Sequence, residues 1–257
     1  MAFRRTPSTD SRLVQIAGWP TLVLVTVLLW LLASSILPKL VPTPQRVLAY
    51  LLSTPPMLVA ESFARTLYNS ILGFGIALGL SVASVFLSYL NRFLECFVAS
   101  LNTFVQSVSV LVWTLVLIMI FGVLSPIPPV LVTTAATYPV LLSTVLGASK
   151  ALDKRFRELS TVLGASKVQE FATIILPGSV PHIASASRAA IGVALRISVV
   201  AEAFGGGGGV GYQLMYNYDL GIPEGVFAWA LLLVLLMILL DRAILKPMED
   251  WTKRWLL

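Results

Sequence analysis

The chain has 257 residues, 57% of them hydrophobic and only 12% charged, with a net charge of +6. An average soluble protein carries roughly 25% charged residues. A mean hydropathy of +0.89 leaves more apolar surface than a water-soluble fold can hide, so an integral membrane protein is expected.

One cysteine, Cys96, excludes an intrachain disulfide and a cysteine-rich metal site. One histidine, His182, excludes a multi-histidine zinc site. The basic residues are spread along short loops rather than gathered in a patch, so membrane lipid is an expected partner and nucleic acid is not. Carboxylates do not cluster at membrane depth, which argues against a membrane enzyme.

A spanning helix needs about 20 mostly apolar residues, and six segments meet that requirement. The first covers about 16–37. Three arginines precede it, as in a signal peptide, but the apolar run exceeds the roughly 7–15 residues of a signal core. The second covers about 66–90 and carries Gly73, Gly75 and Gly79, an expected small-residue face for close helix contact. The third, about 97–122, is polar in its first half (Asn102, Gln106, Ser107, Ser109), which suggests a short interfacial helix followed by a span. The fourth, fifth and sixth cover about 128–146, 183–204 and 225–245. The expected organisation is an all-α membrane protein with a cytoplasmic arm (1–15), a transmembrane domain (16–245), a cytoplasmic loop (147–182) within it, and a cytoplasmic tail (246–257).

Charge sets the expected orientation. With the N-terminus inside, the inner segments hold 13 of the 18 Lys and Arg, and the outer segments hold only Lys39, Arg46 and Arg65. Excess Lys and Arg mark the cytoplasmic side, which places both termini there.

The 147–182 loop is helical in character, with Pro177 and Pro181 expected to stop it. Phe156, Leu159, Leu163 and Phe171 give it a partly apolar face. Such a face suits either a helix lying on the membrane or a helix docking to a soluble partner. Gly164, inside a helical pattern, costs about 1 kcal/mol relative to alanine, so a turn or the close approach of a partner is expected there. TVLGASK occurs at both 144–150 and 161–167; two copies are too few for a repeat architecture.

Few polar residues lie at membrane depth. Arg196 stands near the middle of the fifth span, where a charge costs at least about 2.5–3.5 kcal/mol. It either pairs with a neighbouring span or faces the pathway of an anionic solute. Arg188 lies near the cytoplasmic end of the span and suits a structural role. The glycine run 205–209 with Gly211 formally contains G-x-G-x-x-G, but a membrane span precedes it where a nucleotide site needs a strand. No phosphate-binding loop of the form G-x-x-x-x-G-K-[ST] exists, so any ATP hydrolysis belongs to another chain.

In the loop, Glu158-Leu159-Ser160, three residues, Gly164, nine residues and Ile174-Ile175-Leu176-Pro177 follow one another. This resembles the EAA-x3-G-x9-I-x-LP loop of permease subunits of bacterial ABC importers, with Leu159 and Ser160 in place of two alanines. SVVAEAFGGGGGVGY resembles the VVAEAFG-x-GGLGY stretch of the nitrate, sulfonate and taurine branch, and LVPTPQRVLAYL resembles its LPSP-x-x-V-x-x-x-L stretch. VLVWTLVLIMIFG extends the likeness near the third span, although the family's prolines near the positions of Ser109 and Leu115 are missing.

The resemblance implies a type I ABC importer permease fold in the bacterial inner membrane and a non-catalytic subunit. Its implied partners are a second copy of the chain, two ATPase subunits and an outer solute-binding protein, with ATP and magnesium on the ATPase and no cofactor bound directly. It implies coupling through Arg157, Glu158, Leu159, Ser160, Leu163, Gly164, Ala165, Ile174, Leu176 and Pro177. Gln106, Ser109, Trp113, Arg196 and Glu202 are the expected pathway residues, and Glu202 matches the family glutamate before the glycine run that orders the outer loop. The cargo is expected to be a small anion such as nitrate, a sulfonate or an organic carboxylate. The rival reading is a secondary transporter or channel, which would need inverted repeats or an acidic relay.

Overall fold

A computed structural model describes residues 9–151, 162, 164–205 and 207–242. Every regular element among them is helical. The helices are α1 (Thr9–Ile36), α2 (Pro44–Ser53), α3 (Pro56–Leu90), α4 (Arg92–Ser107), α5 (Val110–Phe121), α6 (Ile127–Ala151) and α7 (Lys167–Glu170). A π-helical turn (Phe171–Ile175) leads into α8 (Leu176–Phe204), followed by α9 (Val210–Asp219) and α10 (Pro223–Leu240).

Local chemistry places these ends. Pro44, Pro56 and Pro223 occupy first turns, where the missing amide costs nothing. The Asn91 side chain caps α4 by accepting from the Phe93 and Leu94 amides at 2.6 and 3.2 Å. Gly122, with φ +90°, ends α5.

Helices α3, α6 and α10 are long and apolar enough to cross a membrane, and two bent units add two further candidate spans. One bent unit is α4–α5, which turns by 91°. Val108 and Ser109 are extended at the corner, so the polar first half of the third segment becomes a separate helix without help from proline or glycine. The other unit runs from α7 through α8. Helix α1 covers the first expected span, but its apolar stretch among the described residues, Thr21–Ile36, is shorter than a membrane crossing needs.

Two sequence expectations change. The loop helix does not stop at the prolines: Pro177 lies in the first turn of α8, and Pro181 lies inside it. Pro181 forfeits one backbone hydrogen bond. Ile175 and Ser179 are buried along the same stretch, and packing outweighs that loss. The small-residue face of α3 also narrows to one glycine. A Cβ on Gly73 would lie 2.7 Å from the Thr133 Cβ, whereas Gly75 and Gly79 face open space.

The buried stripe of α3 is instead Ser62, Thr66, Asn69, Ser70, Gly73, Ala77, Ser81 and Val85, at helical spacing. It packs against α6 and α8. The Thr134 hydroxyl donates to the Gly73 carbonyl at 3.2 Å, and the Ser81 hydroxyl donates to the Tyr138 carbonyl at 3.2 Å. Hydroxyls in the spans otherwise bond mainly within their own turn, such as Ser70 to the Thr66 carbonyl at 2.6 Å. Leu141, Leu142 and Val145 of α6, Phe171, Ile175 and Ala190 fill the main core.

The outside is apolar. Leu22, Leu24, Leu28 and Leu32 on α1 and Leu235 and Leu239 on α10 are all more than half exposed. Lipid is the solvent that tolerates such a surface. Trp30 of α1 stacks on Phe227 of α10 at 5.8 Å and donates its indole hydrogen to the Pro42 carbonyl at 3.0 Å.

Candidate functional site

Three constellations hold the polar chemistry of the fold. The first joins α3, α8 and the glycine-rich segment before α9. Glu202 is fully buried. One carboxyl oxygen accepts from the Thr66 hydroxyl at 2.8 Å and the Gly211 amide at 3.2 Å. The other accepts from the Asn69 amide at 2.9 Å and the Ser198 hydroxyl at 3.1 Å. Thr66 also accepts from the Val210 amide at 3.0 Å.

Glycine is required beside this group. Gly209 has φ +103°, and a Cβ there would fall on the Glu202 carboxyl. A Cβ on Gly211 would fall on the Val199 carbonyl. Arg65 completes the corner, donating to the Gly207 carbonyl at 2.6 Å and pairing with Glu61 at 3.0 Å.

The second constellation is a cavity of about 380 Å³ between the α4–α5 corner, α6 and α8. Gln106 and Trp113 line it, with Val193 and Ile197 on the opposite wall. Ser109 sits at the corner between lining residues Val108 and Val110 but is not itself a lining residue. Pro139 in α6 also lines it, and the Ser143 hydroxyl is taken up by the Pro139 carbonyl at 2.8 Å.

Arg196 lies between Val193 and Ile197 in sequence, and its side chain is exposed on the outer surface of α8. Among the described residues it has no ion-pair partner. Arg188 does: it donates to Asp241 at 3.0 Å and ties α8 to the end of α10. The structure therefore brings Gln106 and Trp113 together on one cavity, leaves Arg196 exposed and outside its lining, and leaves Glu202 outside it as well, its oxygens occupied by protein donors.

The third constellation is the exit of the 147–182 loop. Arg157, Glu158, Leu159, Ser160 and Leu163 lie outside the described residues. Gly164 has φ +69° with open space around the missing Cβ, so the glycine here serves a turn. Ser166 then caps α7 in a reciprocal capping box with Gln169. The first TVLGASK copy lies wholly within α6, whereas the second contains this turn.

The expected coupling residues Ala165, Ile174, Leu176 and Pro177 follow, the last three on the π turn and the start of α8. Sequence reasoning missed how this exit is fastened. The Lys167 ammonium donates to the Leu90 carbonyl at the end of α3 at 2.6 Å. Phe171 packs edge-on against Phe86 at 5.0 Å and near Tyr89 at 6.4 Å. At the loop's entry, Lys150 of α6 pairs with Glu95 of α4 at 3.5 Å. The apolar residue at 171 was legible as one face of the loop; the ion pair spans 55 positions and left no local signal.

Residues 75–245 match the family described as binding-protein-dependent transport system inner membrane component. The bicarbonate transport system permease protein CmpB of Synechococcus elongatus is 25% identical over 72% of this chain and 65% of its own length. The formylaminopyrimidine transport permease protein ThiX of Halalkalibacterium halodurans is 27% identical over 92% of this chain and 95% of its own length. A chain of the MetNI methionine ABC transporter superposes with a TM-score of 0.60 at 18% identity, over 75% of this chain and 97% of that one. At that identity the likeness shows the fold, the type I ABC importer permease fold expected from the motifs.

Proposed function

This chain belongs to the family of binding-protein-dependent transport system inner membrane components, in the branch of nitrate, sulfonate and bicarbonate permeases, and from that premise we propose that two copies enclose the pathway of a small anionic solute. It is a multi-pass membrane protein of an ABC importer. In the proposed assembly both termini are cytoplasmic, two ATPase subunits hydrolyse ATP with magnesium, and an outer binding protein delivers the solute.

Arg196 is the observation that carries this reading. It is an exposed arginine in a span with no ion-pair partner among the described residues. Facing lipid it would cost at least about 2.5–3.5 kcal/mol. Facing a water-filled path between two copies it would be solvated and would attract an anion. The EAA-like spacing supports the ATPase as the source of energy. Closure of the ATPases would move the loop exit, and the Lys167–Leu90 and Phe171–Phe86 contacts would pass that movement to α3.

Purification from the native membrane in mild detergent tests the reading. A stoichiometric ATPase subunit should accompany the wild-type chain and be lost with Gly164→Trp, which enlarges an exposed turn residue without touching the core. A chain that purifies without an ATPase, under conditions that keep other complexes intact, would favour the secondary-transporter reading.

A further inference from the structure

Helix α1 stands off from the rest of the bundle, and two adjoining cavities follow the seam between α1, the turn after it and α10. The deeper cavity, about 380 Å³, has Thr26, Trp30 and Ala33 on the α1 wall and Ala230, Leu231 and Val234 on the α10 wall. The other, about 350 Å³, opens beside Lys39, Tyr218 and Pro223. Phe227 lines both, and Trp30 stacks on it at 5.8 Å.

The chemistry changes along this groove. In the deeper part the Thr26 hydroxyl donates to the Leu22 carbonyl at 2.8 Å, and the Trp30 indole N–H donates to the Pro42 carbonyl at 3.0 Å. The lining there offers no other polar side chain, so an occupant must be apolar over that length. At the mouth Lys39 is exposed and has no ion-pair partner among the described residues, whereas Arg46 pairs with Glu224 at 3.9 Å. Tyr218 is 67% exposed at the same level, and such amphipathic rings concentrate at the membrane–water boundary.

The dimensions match one leaflet. The mouth lies at the start of α10, and the Arg188–Asp241 pair ties the other end of α10 to α8. From Pro223 to Val234 α10 rises roughly 16 Å, at about 1.5 Å per residue. One leaflet contributes about half of a hydrocarbon core about 30 Å thick. A spanning helix of a partner would run on past Val234 through the second leaflet, and it has no need of a cation at the mouth. A phospholipid fits both the depth and the change from apolar wall to ammonium. Its chain also supplies the dispersion contacts that an empty seam forfeits.

We propose that this groove holds an anionic phospholipid of the leaflet opposite the loop exit. One acyl chain lies between Trp30, Ala33, Ala230 and Val234, and the headgroup phosphate meets the Lys39 ammonium. The bound lipid fastens α1 to α10.

The test is native mass spectrometry of the full-length chain released from mild detergent. It is titrated with phosphatidylglycerol and with phosphatidylcholine of identical acyl chains. The wild-type chain should retain one phosphatidylglycerol per copy, at least fivefold more tightly than phosphatidylcholine. Lys39→Gln should remove that preference. Ala230→Phe fills the groove and should abolish retention of both lipids, whereas Leu235→Phe, on the exposed face of α10, should leave it unchanged. Lys39 is exposed, so its variant decides the matter even where Ala230→Phe does not fold. Equal retention of the two lipids, an unchanged preference in Lys39→Gln, or lipid retained by folded Ala230→Phe would each overturn the proposal. So would a wild-type chain that retains no lipid; loss of its dimer in Ala230→Phe would then make a second copy the occupant.

Discussion

The Thr66 hydroxyl of α3 donates to the Glu202 carboxyl of α8 at 2.8 Å and accepts the Val210 amide that begins α9 at 3.0 Å. One side chain thus bridges two long helices and the turn between α8 and α9. Asn69, one turn further along α3, repeats the bond to Glu202 at 2.9 Å. The turn is held by acceptors and donors that have no water to fall back on, so each bond is expensive to lose.

Removing Glu202 leaves the Thr66, Asn69 and Gly211 donors buried. An unsatisfied buried donor costs about 1–3 kcal/mol. Glu202→Ala should destabilise the chain by about 3 kcal/mol or more, and Glu202→Gln by less, because its amide keeps one acceptor oxygen. The temperature at which the detergent-solubilised protein stops eluting as a single species measures this. An unchanged temperature for Glu202→Ala would refute the structural role.

Glycine substitutions in the same turn should rank by what the new Cβ meets. Gly211→Ala drives it into the rigid Val199 backbone, whereas Gly208→Ala meets the flexible Arg65 side chain at 2.9 Å. Overpacking against backbone costs roughly 1–3 kcal/mol or more. Gly211→Ala should therefore yield much less folded protein than Gly208→Ala, even though Gly208 also has a positive φ of 94°. Fluorescence-detected size exclusion of tagged variants reads the order directly.

Arg196→Ala should lower uptake of the anionic solute at least tenfold while the ATPase still co-purifies. Arg196→Lys should retain part of the uptake, since it keeps the charge but loses the planar donor fork. Normal uptake by Arg196→Ala would return the arginine to a structural role.

Lys167 fastens the loop exit to the carbonyl end of α3, where a cation is favoured. Lys167→Ala should leave the ATPase bound and hydrolysing ATP while uptake per ATP falls several-fold. Uptake and hydrolysis falling together would mean that Lys167 serves assembly instead.

Much of this architecture is written in local pattern. Apolar runs located five of the six expected spans, three straight and two bent, among the described residues, and the polar stretch from Asn102 to Ser109 announced the break before α5. The short helices α2 and α9 were not resolved as elements, because ten residues of mixed character carry little periodic signal. The partners of Glu202 were equally hidden: Thr66 and Asn69 lie 136 and 133 positions away and read as ordinary polar residues of a span. Gly75 and Gly79 looked equivalent to Gly73, yet only Gly73 lies where α6 approaches. Pro181 shows tertiary packing overriding a local breaker signal.

The central claim, that the α8 wall around Arg196 lines a water-filled path, is tested most directly by thiol accessibility in native membranes. The lone cysteine is removed as Cys96→Ser, and single cysteines are placed by Val193→Cys on the cavity wall and Leu235→Cys on the lipid-exposed surface of α10. A membrane-impermeant charged thiol reagent needs water to reach and ionise its target. The account predicts rapid labelling of Val193→Cys and none of Leu235→Cys. Equal protection of both positions would contradict it.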